Sequence, residues 1–278
     1  MTIRIVTDST CDLPASVIQK YDIKVLPLYI NVGEKEFLDG IDITREEFYT
    51  RLPDYPSHPK TAVPSPLKFK AIYDALAEEG ASDVISIHIS ESLSAMANVA
   101  RAAAQETNST KVHVIDGGQL SLGTGFLVEN AAKLASMDVK VKEILNEITS
   151  QMKRSYVFAA LDTLEFLKRS GRMNRWVSNL GSLLQIKPIL TMHDGKPGNE
   201  RVRTSEKAMH RVVELLASVG KIERVAMVHT HAPERIMELK RMAASLLPQG
   251  ELWCEDITPV IGAHIGPGAV GFAVVSAG

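Results

Sequence analysis

The chain has 278 residues, with 31 Lys and Arg against 33 Asp and Glu and a formal net charge of -2, which excludes the basic excess that nucleic-acid binding calls for. At 45% hydrophobic and 23% charged residues it has a globular rather than a disordered composition, and enough length for one large domain or two ordinary ones. Two cysteines, Cys11 and Cys254, are too few for a disulfide framework or a zinc cluster.

The opening segment Met1–Asp8 reads as a strand, not as a secretory leader. No apolar run approaches the ~18 residues of a membrane span. The expectation is a cytoplasmic protein.

The first half alternates strands and helices. Ile3–Thr7 predicts a strand, followed at Asp12-Leu13-Pro14 by a helix through about Tyr21, with Pro early in its first turn. Ile23 to Val32 predicts one strand. Residues 33–60 read as an irregular, charged excursion outside the core. Pro66–Gly80 predicts a helix with Phe69, Ile72, Tyr73 and Leu76 on one stripe and Gly80 closing it. Asp83–Ile89 and Val112–Ile115 predict strands. Leu93–Gln105, Leu120–Ser136 and Val139–Lys153 predict helices. This alternation implies βαβ units and a parallel sheet.

The second half has a different rhythm. Tyr156–Leu161 predicts a strand and Thr163–Arg169 a short helix. Lys187–Met192 and Pro197–Arg203, joined through Asp194-Gly195, predict a hairpin. Helices are expected at Ser205–Val219 and Pro233–Leu246, and strands at Val225–Val228, Glu251–Glu255 and Gly271–Val275. The pattern predicts an α/β fold in two parts. An N-terminal parallel-sheet domain covers 1–155, and a C-terminal α+β domain with a mostly antiparallel sheet covers 156–278.

Ligands of open parallel sheets bind beyond the carboxyl ends of the strands. Four polar segments fall there: Asp8-Ser9-Thr10, Ser90–Ser94, Asp116-Gly117-Gly118, and Lys60–Pro66 at the start of a helix. Each also reads as a helix cap; together their hydroxyls suit a carboxylate or phosphate. Val260–Gly268 sets His264 among three glycines in a predicted loop. Leu164–Arg175 ends in a basic run with Arg169, Arg172 and Arg175, either a cationic helix end or a phosphate-binding patch. His229 and His231 alternate on one predicted strand face, as metal ligands do, with only Glu234 near as a third. Gly123-Thr-Gly125 lacks the spacing of a dinucleotide fingerprint.

Nine segments, taken in order, resemble the DegV family. They are Asp8–Pro14, Pro27-Leu28, Asp39-Gly40, Lys60-Thr61 with Pro64-Ser65-Pro66, and Leu93-Ser94. Val114–Asp116 with Ser121–Gly125, Leu164–Met173, Ile186–Leu190 and Pro259–Ala269 complete the set. The resemblance implies a fatty-acid-binding protein, like the binding subunit of bacterial fatty acid kinase, with an acyl tunnel between its two domains. It places the carboxylate on Thr61, Ser94 and His264, supported by polar loops at Asp8, Ser9 and Asp116. It makes Arg172 the residue that serves a separate ATP-dependent kinase subunit; Arg201 and Arg203, on the far side of the predicted hairpin, are expected to extend that patch. Arg172 is expected to point to solvent, away from the acyl chain. The family's pattern is altered at Ala62-Val63, Ala95-Met96, Gly117 and Ser170. The resemblance implies no cofactor beyond the bound fatty acid, no activity of the subunit alone, no nucleic-acid partner, and transient membrane contact.

The enzyme alternative is a serine hydrolase for a lipid-like ester, with Ser94 as nucleophile, His264 as base and Asp8 or Asp116 as orienter. The sequence around Ser94, Ser92-Leu-Ser-Ala-Met, is not a nucleophile elbow.

Overall fold

The computed structural model describes residues 2–176, 186–250 and 252–278. Its first part runs β1 (Ile3–Asp8), α1 (Ala15–Lys20), β2 (Lys24–Leu26), β3 (Tyr29–Val32), β4 (Lys35–Leu38) and α2 (Arg45–Arg51). It continues through β5 (Lys60–Ala62), α3 (Pro66–Glu78), β6 (Asp83–His88), α4 (Met96–Glu106), β7 (Lys111–Asp116), α5 (Leu122–Ser136) and α6 (Val141–Met152). Strands β2-β1-β6-β7 form a wholly parallel sheet. Every residue of β6 is buried, as in a strand covered on both faces. A separate antiparallel sheet, β4-β3-β5, stands beside it.

The second part comprises β8 (Ser155–Ala160), α7 (Glu165–Arg169), α8 (Met173–Trp176), β9 (Lys187–His193), β10 (Lys196–Val202) and α9 (Ser205–Ser218). Then come β11 (Ile222–His229), α10 (Pro233–Met242), β12 (Cys254–Asp256), α11 (Pro259–Ile265) and β13 (Val270–Ser276). The sheet order is β10-β9-β8-β13-β11-β12. Every pairing is antiparallel except β11 with β12. The β9–β10 hairpin turns at Asp194 (φ +46°) and Gly195 (φ +71°). Both residues are left-handed, as a two-residue turn matched to strand twist requires.

Helix α5 joins the two parts. It touches β1 and β6 on one side and β8 and β13 on the other. It is apolar almost all round, with buried positions from Leu122 to Ala132, and a helix of that kind belongs inside a core. One continuous core therefore passes from Ile5 and Ile85 through Phe126 to Val157 and Ala273. A second core, with Phe158, Met227 and Phe272, lies on the opposite face of the large sheet beneath α9 and α10. No helix among the described residues is long and apolar enough to cross a membrane.

Three expectations are corrected. The strand at 23–32 is two strands in two sheets, because Pro27 lacks the N–H that a continuing ladder needs. The segment 33–60 is not outside the core. It contains β4 and α2, and buries Ile43, Phe48 and Tyr49. Thr44 caps α2 by accepting from the Glu47 N–H at 3.1 Å, a cap followed three residues on by Glu.

The third correction concerns 260–268. It is not a loop: α11 starts at Pro259 behind the cap Thr258 and closes at Gly266 (φ +76°). A Cβ at Gly262 would collide with the Tyr49 hydroxyl, so this glycine serves close packing within a helix. Several element ends also move. The helix expected from Leu93 starts at Met96, and the one expected to reach Leu246 stops at Met242. The strand expected at 251–255 is Cys254–Asp256, with Glu251 outside the described residues.

Candidate functional site

A cavity of about 430 Å³ lies between the carboxyl end of the parallel sheet, the β5 strand and helices α8 and α11. That volume suits a small-molecule ligand. Leu28, Ile89, Leu93, Leu120, Ile261 and Ile265 make much of its wall apolar. Thr61, Ser94, His264 and Arg172 all line it, joined by Thr10, Arg175 and Trp176.

Thr61 does not stand at a helix start as expected. It lies on β5, paired in register with Ile30 of β3. Its hydroxyl is 2.9 Å from His264 Nε2. His264 is carried in by α11, and its Nδ1 is buried with no hydrogen-bond partner among the described residues. Burial pushes the His264 imidazole down to about 3, and the neighbouring Arg172, His58 and Arg175 push the same way. The ring is therefore neutral near pH 7. Ser94 precedes α4, and its Oγ accepts weakly from the Met96 N–H at 3.4 Å. It stands one residue before the N-cap Ala95 and lines the cavity.

Arg172 is corrected. It follows Gly171, whose φ of +71° closes α7, and its N–H returns to Leu167 O at 3.0 Å. The turn does not send the side chain away from the cavity: Arg172 is half-buried in its wall. Its guanidinium donates to Ser170 O at 2.8 Å, and that of Arg175 to Ser92 O at 3.1 Å. Neither has a carboxylate partner among the described residues. Arg203 is exposed beyond β10 and does not line the cavity.

The supporting loops stand behind the wall. Asp8 is fully buried and accepts from the Thr10 N–H at 3.0 Å and the Thr10 hydroxyl, and pairs with His88 Nδ1 at 2.9 Å. His88 Nε2 lies 2.7 Å from Ser86 Oγ, which meets the Tyr73 hydroxyl. Ser9 accepts from the Leu28 N–H at 3.3 Å, fixing the chain just after Pro27. Asp116 accepts from the Glu91 and Gly118 N–H groups at 3.2 and 2.9 Å and so shapes the turn that leads to Ser94. These carboxylates orient loops, and neither orients His264. With His264 bonded to Thr61 and Ser94 to the start of α4, the hydrolytic triad is not assembled.

The paired histidines are also corrected. His229 ends β11 and its Nδ1 accepts from the Ala232 N–H at 3.2 Å. His231 lies past the strand at φ +48° and stacks on Tyr49. Among the described residues no group of three or more His, Cys, Asp and Glu is placed to hold a metal.

Sequence reasoning missed Trp176 as a cavity residue, and it gave Thr10 and Arg175 no role of their own within the segments it singled out. Arg175 belonged to the basic run already singled out, and Trp176 follows it. Thr10 stood in the polar segment Asp8-Ser9-Thr10, already placed beyond the carboxyl end of β1.

Residues 2–277 match the profile of a family described as uncharacterised protein, DegV family. The chain belongs to the DegV family. A DegV domain-containing protein of Listeria innocua is 31% identical over 97% of this chain and 96% of its own length. Among solved structures, a fatty-acid-binding DegV family protein from Thermus thermophilus superposes with a TM-score of 0.90. It has 32% identity and covers 99% of this chain and 100% of its own. DegV of Bacillus subtilis, a fatty acid binding protein, has a TM-score of 0.90 at 29% identity and covers 99% of both chains.

Proposed function

We propose that this DegV protein binds one long-chain fatty acid between its two domains, 1–155 and 156–278, with the carboxylate at Thr61, Ser94 and His264. The observation that carries the reading is the composition of one cavity. Its wall is apolar, and one set of hydroxyl, imidazole and guanidinium groups gathers in it. The fatty-acid binding of the Thermus and Bacillus relatives supports it.

The energetics agree. Burying a methylene contributes about 0.8 kcal/mol, so a palmitoyl chain brings roughly 11 kcal/mol before ordering costs. A carboxylate inside an apolar cavity must be hydrogen-bonded. The Ser94 hydroxyl supplies one donor, the bonded Thr61–His264 pair keeps one further hydrogen free, on His264 Nδ1 or on the Thr61 hydroxyl according to the tautomer, and two guanidiniums without carboxylate partners among the described residues supply charge. Arg175 is exposed while lining the cavity, so the polar end lies near the surface, within reach of a phosphoryl donor.

On this reading the protein presents the acyl carboxylate to a separate ATP-dependent kinase subunit and shields the acyl-phosphate from water. It holds no nucleotide and performs no chemistry alone. It works in the cytoplasm, where ATP is available, and exchanges fatty acid by transient membrane contact. Calorimetric titration with palmitate and with hexadecanol tests the reading. Saturable binding of palmitate, weaker for the alcohol, is expected. No binding of palmitate would overturn it.

A further inference from the structure

Helix α11 spans seven residues, Pro259–Ile265, too few to hold a direction by its own hydrogen bonds. His264 lies six residues beyond the cap Thr258, about 9 Å along the axis. A tilt of ~10° at the cap would displace the imidazole by roughly 1.6 Å, enough to break its bond to Thr61. Something must therefore fix the start of α11.

The anchors come from the N-terminal part, and all but Arg45 are buried. Asp12 Oδ1 accepts from the Thr258 N–H at 2.9 Å and from Arg45 Nη2 at 3.1 Å, and Oδ2 accepts from the Ser121 hydroxyl at 2.6 Å. The Thr258 hydroxyl donates to Asp39, and the Arg45 guanidinium also donates to Asp256 O. The Tyr49 hydroxyl donates to Ile257 O at 2.9 Å. Asp12 and Asp39 are 1% and 5% exposed. None of Asp12, Asp39, Arg45 or Ser121 lines the fatty-acid cavity.

We propose that Asp12 is a positioning residue for His264: its carboxylate, held by Arg45 and Ser121, fixes the Thr258 cap and thereby the placement of the imidazole against Thr61. Asp12 sits at the left-handed position (φ +53°) that ends the turn after β1. A loop of the parallel sheet thus sets the angle of a helix in the other part of the molecule. Burial pushes the Asp12 carboxyl up to about 7, against the pull of Arg45, Ser121 and the Thr258 N–H. Its charge depends on those donors staying in place. Asp39 lies in the same knot and is raised by burial as well. Glu255 stands 3.8 Å from Arg45, leaving Arg45 to serve several carboxylates at once.

The proposal rests on the reading that His264 receives a fatty-acid carboxylate, and the experiment separates the two. Asp12→Asn keeps the side-chain shape but removes the charge that holds Arg45 and leaves one acceptor oxygen where two served Thr258, Arg45 and Ser121. The His264 imidazole nitrogen resonances are recorded by NMR in the ligand-free wild type and in the variant. Affinities for palmitate and hexadecanol are measured for both, and again in a His264→Ala background. A shifted His264 resonance is expected, with about a tenfold loss for palmitate and less than about twofold for hexadecanol. No further palmitate loss is expected once His264 is gone. An unmoved resonance, equal losses for both ligands, or a full Asp12→Asn effect in the His264→Ala background would overturn the proposal. Should the wild type bind no palmitate, the functional reading fails and the resonance alone decides whether Asp12 positions His264. Should Asp12→Asn not fold, Arg45→Gln, on a side chain 32% exposed, carries the same comparison.

Discussion

Thr61 and His264 are 203 residues apart in the chain, and their side chains meet at 2.9 Å in the cavity wall. One comes from a short antiparallel strand and the other from a helix of the opposite part, so the pair exists only when both parts are in place. Thr61→Val, which keeps the shape and removes the hydroxyl, is expected to weaken palmitate binding by ~1.5–3 kcal/mol, the worth of a hydrogen bond to a charged group. Ser94→Ala is expected to do the same. Calorimetry measures the loss, and an unchanged melting temperature shows that the fold is intact. A Ser94→Ala variant that binds like wild type would leave Ser94 as a residue of the turn into α4 only.

The depressed His264 gives a pH dependence with a definite sign. An unfolded chain holds this histidine near its ordinary 6.5, whereas the folded, ligand-free protein holds it at about 3, chiefly through burial. Between those values the unfolded state binds the extra proton, so this contribution to stability is lost as pH falls from 6.5 towards 3. From pH 7.5 to 5 the wild type is expected to lose about 2 kcal/mol that His264→Gln does not. Denaturant titrations of the two proteins at both pH values check this. Identical losses would show that His264 titrates normally in the folded state.

Gly262 lies under the Tyr49 ring, where a Cβ would collide with its hydroxyl. That hydroxyl is committed to Ile257 O and cannot swing aside freely. Gly262→Ala is expected to destabilise the protein by ~1–3 kcal/mol through overpacking. It should also weaken palmitate binding, because α11 carries His264. Thermal melting and titration read the two effects separately.

Arg172 lines the cavity and also belongs to the cationic turn between α7 and α8. Arg172→Gln is therefore expected to lower palmitate affinity about tenfold or less and to reduce kinase-dependent acyl-phosphate formation by a larger factor. Hydroxylamine trapping of acyl-phosphate, with the cognate kinase subunit and ATP, measures the second effect. Phosphorylation at the wild-type rate would remove Arg172 from the transfer step.

Much of the fold was legible because its elements carry strong periodicity. The apolar run of β6, the all-round apolar α5 and the Asp194-Gly195 hairpin signal each fit one reading. Three regions were not legible, for identifiable reasons. Pro27 interrupts an otherwise continuous β-branched run, and nothing local says that the chain changes sheets there. Phe48 and Tyr49 are the two apolar residues of the charged α2 sequence Arg45–Arg51, and Tyr49 is covered by Ile257, Gly262 and His231, some 200 positions away. The glycines of 260–268 signal a loop, yet Gly262 answers to the Tyr49 ring rather than to backbone freedom. For the cavity, Thr61, Ser94 and His264 were found through family resemblance, and all three line the same cavity. The direction of Arg172 was misjudged because a left-handed glycine such as Gly171 fixes where the backbone turns, not where the next side chain goes.

The most direct test of the account is mass spectrometry of an organic extract of the purified protein, quantified against protein concentration. The account predicts one long-chain fatty acid per chain in the wild type, and substantially less in a Thr61→Val, Ser94→Ala double variant of normal stability. Wild-type protein that repeatedly yields no fatty acid, and takes none up from added palmitate, would contradict it.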